Sequence, residues 1–196
     1  MRILVVGMGL IGGSICKSIK AATSHAVYGC DVQQAVLDDA IADGAIDGTG
    51  TMTDSTYDMI ILCLHQRIAI QMVQEALPKI PTGTLLVDTC GLKGRMVRDL
   101  TYRCRKAGVR YVGTHPMAGR EKNGYYASIS NLFQNANLIV TPVDGTDEAA
   151  LDTVKELADQ MGFGKIVTAT PMWHDNMIAY TSQLAHVVSS SYVKDF

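Results

Sequence analysis

The sequence predicts an α/β fold: a doubly wound, mostly parallel sheet followed by the start of a C-terminal helical domain. Three observations carry this expectation. Short apolar runs alternate with longer amphipathic ones, the runs are nearly continuous in apolar residues, and the first run leads straight into a Gly-x-Gly-x-x-Gly turn. Parallel strands need crossovers, which helices provide. Strands covered on both faces lose the polar alternation of a half-exposed sheet.

The strand runs are Ile3-Leu4-Val5-Val6, then residues 26–30, 59–64, 84–87, 110–112 and 138–140, rich in Val, Ile, Leu and Tyr. Between them, residues 10–22, 32–43, 67–77, 93–107 and 148–161 repeat apolar positions at helical spacing. Residues 113–133 interrupt the alternation with Thr-His-Pro, glycines and several charges. A connection that long inside a compact domain usually serves a function. Further on, Thr170-Pro171 reads as an N-cap and first helical turn. A helical pattern then runs to Phe196 without a capping glycine, and its apolar face has no other segment of the chain to pack on. Residues 1–168 are therefore expected to form one domain. Residues 169–196 are expected to open a second, truncated helical one, covered by further chain or by another subunit.

Composition bounds the function. The chain has 196 residues, 47% hydrophobic and 18% charged, with a net charge of −2, enough apolar content for one core or one core plus a fragment of another. Disorder is excluded. Lys and Arg number 17 against 19 Asp and Glu, with no basic block, which argues against a nucleic-acid partner. Cys16, Cys30, Cys63, Cys90 and Cys104 form no C-x-x-C pair, which favours free thiols in a reducing cytoplasm over disulfides or a metal site. No signal peptide is visible, because the first apolar run meets glycines instead of a cleavage site. Residues 176–193 lack formal charge but hold Ser, Thr, Gln and His, so they read as a buried or partner-facing helix and no membrane partner is expected.

Gly7-Met8-Gly9-Leu10-Ile11-Gly12 follows the first strand and opens the first helix. In such a turn the first glycine permits the bend, the second lets the backbone approach a pyrophosphate, and the third allows close helix–strand packing. The helix N-terminus offers free N–H groups to the phosphates. The second strand ends at Asp31, about 20 residues further on, where a carboxylate holds the adenosine ribose hydroxyls. A carboxylate there repels a 2′-phosphate, and Val32-Gln33-Gln34 supply no arginine, so NAD is favoured over NADP. The domain is read as Rossmann-type, with Gly7, Gly9, Leu10, Ile11, Gly12, Asp31, Leu64 and Thr89 as cofactor-binding residues and no metal.

His115 lies in Gly113-Thr114-His115-Pro116-Met117-Ala118-Gly119, just after the run 110–112. Ligands bind at strand C-terminal ends in open α/β sheets, and an imidazole there can take the proton that alcohol oxidation releases. Fixing its own loop is the competing role. Asp175, Ser182 and His186 return to one face of the last helix, which is expected to line a cleft. His65 follows the run 59–64 near the cofactor, whereas His25 reads as loop surface.

Taken together, the glycine turn extended through Gly13-Ser14, the stretch from Gly113 to Gly119 continued by Arg120-Glu121-Lys122-Asn123-Gly124, and His174-Asp175 followed by Ser182 and His186 resemble the prephenate dehydrogenase family. The resemblance spans essentially the whole chain. It implies NAD-dependent oxidative decarboxylation of prephenate to 4-hydroxyphenylpyruvate in tyrosine biosynthesis, with a homodimer in the full-length form. His115 matches the family's catalytic histidine, and His186 a substrate-contacting one. Ser182 keeps its place in the same motif, and Glu121 and Asp175 match an acidic pair that shapes the pocket. The sequence departs where the family often has serine in D-x-x-S-x-K, reading Asp88-Thr89-Cys90-Gly91-Leu92-Lys93 instead. It also reads Ser182-Gln183-Leu184-Ala185-His186 for Ser-His-Leu-Pro-His, and it lacks a candidate for the arginine that the family's helical domain supplies. Arogenate dehydrogenase and a non-catalytic NAD-binding module are the alternative readings.

Overall fold

The protein is described by a computed structural model over residues 1–54 and 57–183. Its elements run β1 (Arg2–Val6), α1 (Leu10–Ala22), β2 (Ala26–Cys30), α2 (Gln34–Ala42), β3 (Gly48–Thr49), β4 (Met59–Leu62), α3 (Gln66–Ala76), β5 (Leu85–Asp88), α4 (Gly94–Lys106), β6 (Arg110–Pro116), β7 (Asn137–Val140), α5 (Glu148–Gln160), β8 (Lys165–Thr168) and α6 (Pro171–Ile178). The strands form one sheet in the order β3-β2-β1-β4-β5-β6-β7-β8, parallel everywhere except between β6 and β7. The order reverses beside β1, which opens a crevice at the carboxyl ends of β1 and β4.

Alternate residues of β1 explain the continuous apolar runs. Ile3 and Val5 join Ile15 and Ile19 of α1 and Val154 and Leu157 of α5 in a core on one face of the sheet. Leu4 and Val6 face the opposite way, toward Ile70 and Val73 of α3 and Met96 and Leu100 of α4. Each such aliphatic side chain, taken wholly from water, contributes about 1.5–3 kcal/mol. Caps fix the helix starts. The Asp147 side chain accepts a hydrogen bond from the Ala150 amide at α5, and Thr170 accepts one from the Trp173 amide at α6, with Pro171 in the first turn.

The structure departs from the sequence reading in four places. β3 is only two residues long, and β8 is an edge strand without a fully buried residue, so neither makes an apolar run. β6 does not stop at Val112 but continues to Pro116, because Thr114, His115 and Pro116 pair antiparallel with Val140, Ile139 and Leu138 of β7. His115 thus stands on a strand and not on the loop after it. The last helix, expected to run unbroken, ends at Ile178 and passes into a π-helical turn, Ala179–Gln183. His186 and the side chain of Ser182 lie outside the described residues.

Candidate functional site

β1 ends in the glycine turn, and each glycine answers a different steric demand. Gly7 has φ +94°, and a Cβ there would fall 2.5 Å from the Cys63 carbonyl oxygen. A Cβ on Gly12 would lie 1.9 Å from the Gly7 carbonyl oxygen, so the helix can sit this close to the strand only with glycine. Gly9 is different, because a Cβ there would meet nothing within 4 Å. It faces open space at the N-terminus of α1, where it is the N-cap and supplies no side-chain bond to the first-turn amides. Leu10, Ile11 and Gly12 offer those amides, which have no intrahelical acceptor. This cradle fits a phosphate-bearing ligand on the chain's own geometry.

Asp31 stands at the end of β2 beside the turn. Its carboxylate accepts hydrogen bonds from the Met8 amide at 2.7 Å and the Gln33 amide at 2.9 Å, which fix its orientation and tie it to the glycine turn. Leu64 packs against Gly7 after β4. Thr89, just past β5, donates to the Leu62 carbonyl at 3.1 Å. All of these residues sit along the carboxyl edge of the sheet. Burial pushes the neighbouring Cys63 and Cys90 thiols up to about 12, so neither is a thiolate at neutral pH.

His115 lies further along the same edge, three strands from β1, or roughly 14 Å at the usual strand spacing. Its Nδ1 is 2.9 Å from Nε2 of His174, a fully buried residue in the first turn of α6. Nδ1 of His174 is in turn 2.8 Å from Oδ1 of Asp175. The Asp175 carboxylate also accepts hydrogen bonds from the Lys93 and Gly94 amides, both at 2.8 Å, and so caps the N-terminus of α4. Burial raises the Asp175 carboxyl, but the Lys93 amide, His174 and the Gly94 amide together outweigh it and hold the group below its ordinary value. Burial first, then His174 and Lys93, push the His115 imidazole down to about 4. At neutral pH it is an uncharged proton acceptor. Its other nitrogen, Nε2, looks toward Gly91, where a Cβ would be 3.7 Å away.

A buried ionic network supports this strand. The Lys93 ammonium, fully enclosed, donates to Asp88 Oδ1 and to the Thr114 carbonyl, immediately before His115. Asp88 also accepts from the Tyr111 hydroxyl at 2.7 Å and the Cys90 amide at 2.9 Å, and the Thr114 hydroxyl donates to the Asp88 carbonyl. The connection after β6 folds back on the nucleotide side. Ser14 accepts from the Ile129 amide, Ser18 donates to the Ser130 carbonyl, and Tyr125 and Tyr126 bond Asp43 and Asp39.

The structure therefore brings His115 and Asp175 into one chain of contacts, with His174 between them. It does not pair Asp175 with Glu121. Glu121 is exposed on the connection and makes no hydrogen bond or ion pair among the described residues, whereas Asp175 is engaged by α4 and His174. Sequence reasoning gave no role to His174 or Lys93. The available signals were a histidine directly before an aspartate in a capped first turn, and a lysine five residues after a strand-end aspartate. Among the described residues, no group of three or more His, Cys, Asp or Glu could hold a metal ion, and no helix is long and apolar enough to cross a membrane.

Residues 15–168 match a family profile described as prephenate dehydrogenase, nucleotide-binding domain. The chain is 31% identical to a prephenate dehydrogenase of Bacillus subtilis over 97% of its length, but it spans only 52% of that relative. Among solved structures it is similar to a prephenate dehydrogenase from A. aeolicus in complex with hydroxyphenyl propionate and NAD+, with TM-score 0.90 and 29% identity, covering 100% of this chain and 69% of that one. It is also similar to an arogenate dehydrogenase from Synechocystis, with TM-score 0.88 and 26% identity, again covering 100% of this chain and 69% of the other.

Proposed function

Since the chain belongs to the prephenate dehydrogenase family through its nucleotide-binding domain, we propose that it binds NAD at the glycine turn and carries the proton-accepting half of an oxidative decarboxylation of prephenate to 4-hydroxyphenylpyruvate. The observation that carries this reading is His115, an uncharged imidazole whose Nε2 makes no hydrogen bond among the described residues, on the same sheet edge as an open phosphate cradle. Gly9, Leu10, Ile11 and Gly12 hold the pyrophosphate through backbone amides, Asp31 takes the adenosine ribose, and Leu64 and Thr89 line the path toward His115. Bound NAD supplies the hydride acceptor. His115 Nε2 accepts the proton of the ring hydroxyl as that carbon is oxidised, and departure of the ring carboxylate as CO₂ makes the ring aromatic. The protein's share is orientation and removal of one proton. The aryl ligand and NAD+ held by the A. aeolicus relative support the pairing of cofactor and substrate class.

Residues 169–196 are proposed to open a helical dimerisation domain of a cytoplasmic homodimer serving tyrosine biosynthesis. Ser182, His186 and Glu121 are then substrate contacts, and Asp175 reaches the substrate only through His174 and His115. Arogenate is the second reading, favoured by the Synechocystis relative and by the free carboxylate of Glu121, which suits an ammonium. The kinetic test measures NADH formation from prephenate and from arogenate, by this chain and by His115→Asn. Turnover should fall ~10²-fold or more in the variant, with NAD affinity kept. NAD binding without turnover of either substrate would instead support a non-catalytic binding module.

A further inference from the structure

We propose that His174 is the positioning residue of this site: through Asp175 it fixes which nitrogen of His115 carries the proton, and so aims the bare Nε2 at the substrate. The inference rests on the proposed role of His115 but concerns its tautomer, which can be read without substrate. It follows from donors and acceptors alone. The Asp175 carboxylate accepts hydrogen bonds from the Lys93 and Gly94 amides, so it is an acceptor toward His174 as well. Nδ1 of His174 must therefore carry a proton, which leaves Nε2 of a neutral His174 as a lone pair. That lone pair is 2.9 Å from Nδ1 of His115, which must donate to it. The remaining nitrogen of His115 is then unprotonated, and it is the one lying 3.7 Å from the position of a Gly91 Cβ, on the open side of the strand.

The two rings meet edge-on, with centroids 5.1 Å apart and planes at 71°, which suits an in-plane N–H···N contact. His174 is wholly buried, so water does not compete for its nitrogens. When Nε2 of His115 takes a proton, the imidazolium that results keeps its Nδ1–H on His174, whose far side is held by a carboxylate. The titratable groups facing His115 are His174 and Asp175 from α6, Lys93 ahead of α4 and Asp88 from β5. Of these, His174 alone makes a hydrogen bond to the ring among the described residues. α6 lies beyond the matched residues 15–168, so the base is oriented by a segment outside the nucleotide-binding region.

Long-range ¹H–¹⁵N spectra of the ¹⁵N-histidine-labelled chain at neutral pH test this directly. His115 should show a protonated Nδ1 and a bare Nε2, and His174 the same pattern. In His174→Phe, which keeps a ring but removes the acceptor, His115 should lose that fixed tautomer, while NAD affinity stays within about twofold. In turnover assays, kcat should fall ~10²-fold with the KM for NAD unchanged, and His174→Gln should recover part of the loss. A wild-type His115 protonated on Nε2 overturns the proposal without any variant. So does a tautomer unchanged in His174→Phe. Absence of turnover with the expected tautomer would count against the dehydrogenase reading and leave this one standing.

Discussion

Replacing Lys93 with methionine removes the only cation that touches Asp88 among the described residues. Both side chains are completely enclosed, so the carboxylate left behind has no solvent to turn to. Breaking a buried pair by deleting one partner costs about 3–5 kcal/mol. The Thr114 carbonyl also loses its ammonium donor, at about 1–3 kcal/mol for an unsatisfied buried acceptor. Against this, Asp88 retains the Tyr111 hydroxyl and the Cys90 amide, which holds the expected loss near 3–5 kcal/mol in all. For a chain of this size each kcal/mol moves Tm by about 2–4 °C, so the fall is roughly 6–20 °C. Thermal unfolding followed by circular dichroism measures it. The double variant Asp88→Leu with Lys93→Met should recover at least half of the loss, since apolar replacement of a whole buried pair is often neutral. A single-variant cost below about 1 kcal/mol would refute the reasoning, because it would mean that Asp88 finds another partner or is not charged.

Three further outcomes follow from the same geometry. Gly9→Ala should leave stability within about 0.5 kcal/mol and yet weaken NAD binding at least tenfold by calorimetry, as its methyl fills the phosphate space; Gly12→Ala should cost stability, because its methyl meets the Gly7 carbonyl oxygen at 1.9 Å. Below pH 6.5 the unfolded chain protonates His115 while the folded chain resists until about pH 4. Stability should therefore fall by about 3 kcal/mol across that window, with a shallower slope in His115→Asn. Asp175, held low when folded, adds a loss in the same direction below its ordinary value. Gly91→Ser places a hydroxyl within reach of His115 Nε2 from a Cβ at 3.7 Å; one hydrogen bond's worth of orientation, about 0.5–1.5 kcal/mol, should change kcat by two- to tenfold in steady-state assays with little effect on unfolding.

Much of the architecture was legible in the sequence, because it is written in local pattern. The helix expected over residues 10–22 is α1, and most strand runs fall within a residue or two of their strands. The glycine turn could be read residue by residue, since each glycine meets a demand imposed by its own neighbours. What escaped depends on distant partners. Local pattern places His115 on a loop, because nothing local shows that β7 lies antiparallel beside it. His174 went unassigned because its partner is 59 positions away. Lys93 and Asp88 are close in sequence, but their complete burial comes from the sheet and α4 closing over them. The engagement of Asp175 by the Lys93 and Gly94 amides likewise comes from a segment more than 80 positions away.

On the proposed function, the glycine turn and His115 serve one ligand-filled cleft. A crystal structure of the chain with NAD bound tests it most directly. The pyrophosphate should lie on the Leu10 and Ile11 amides, and the nicotinamide ring should stop beside Thr89 with room for one substrate ring between it and His115 Nε2. A nicotinamide ring directed away from β6, or one separated from His115 by ordered protein, would contradict the account.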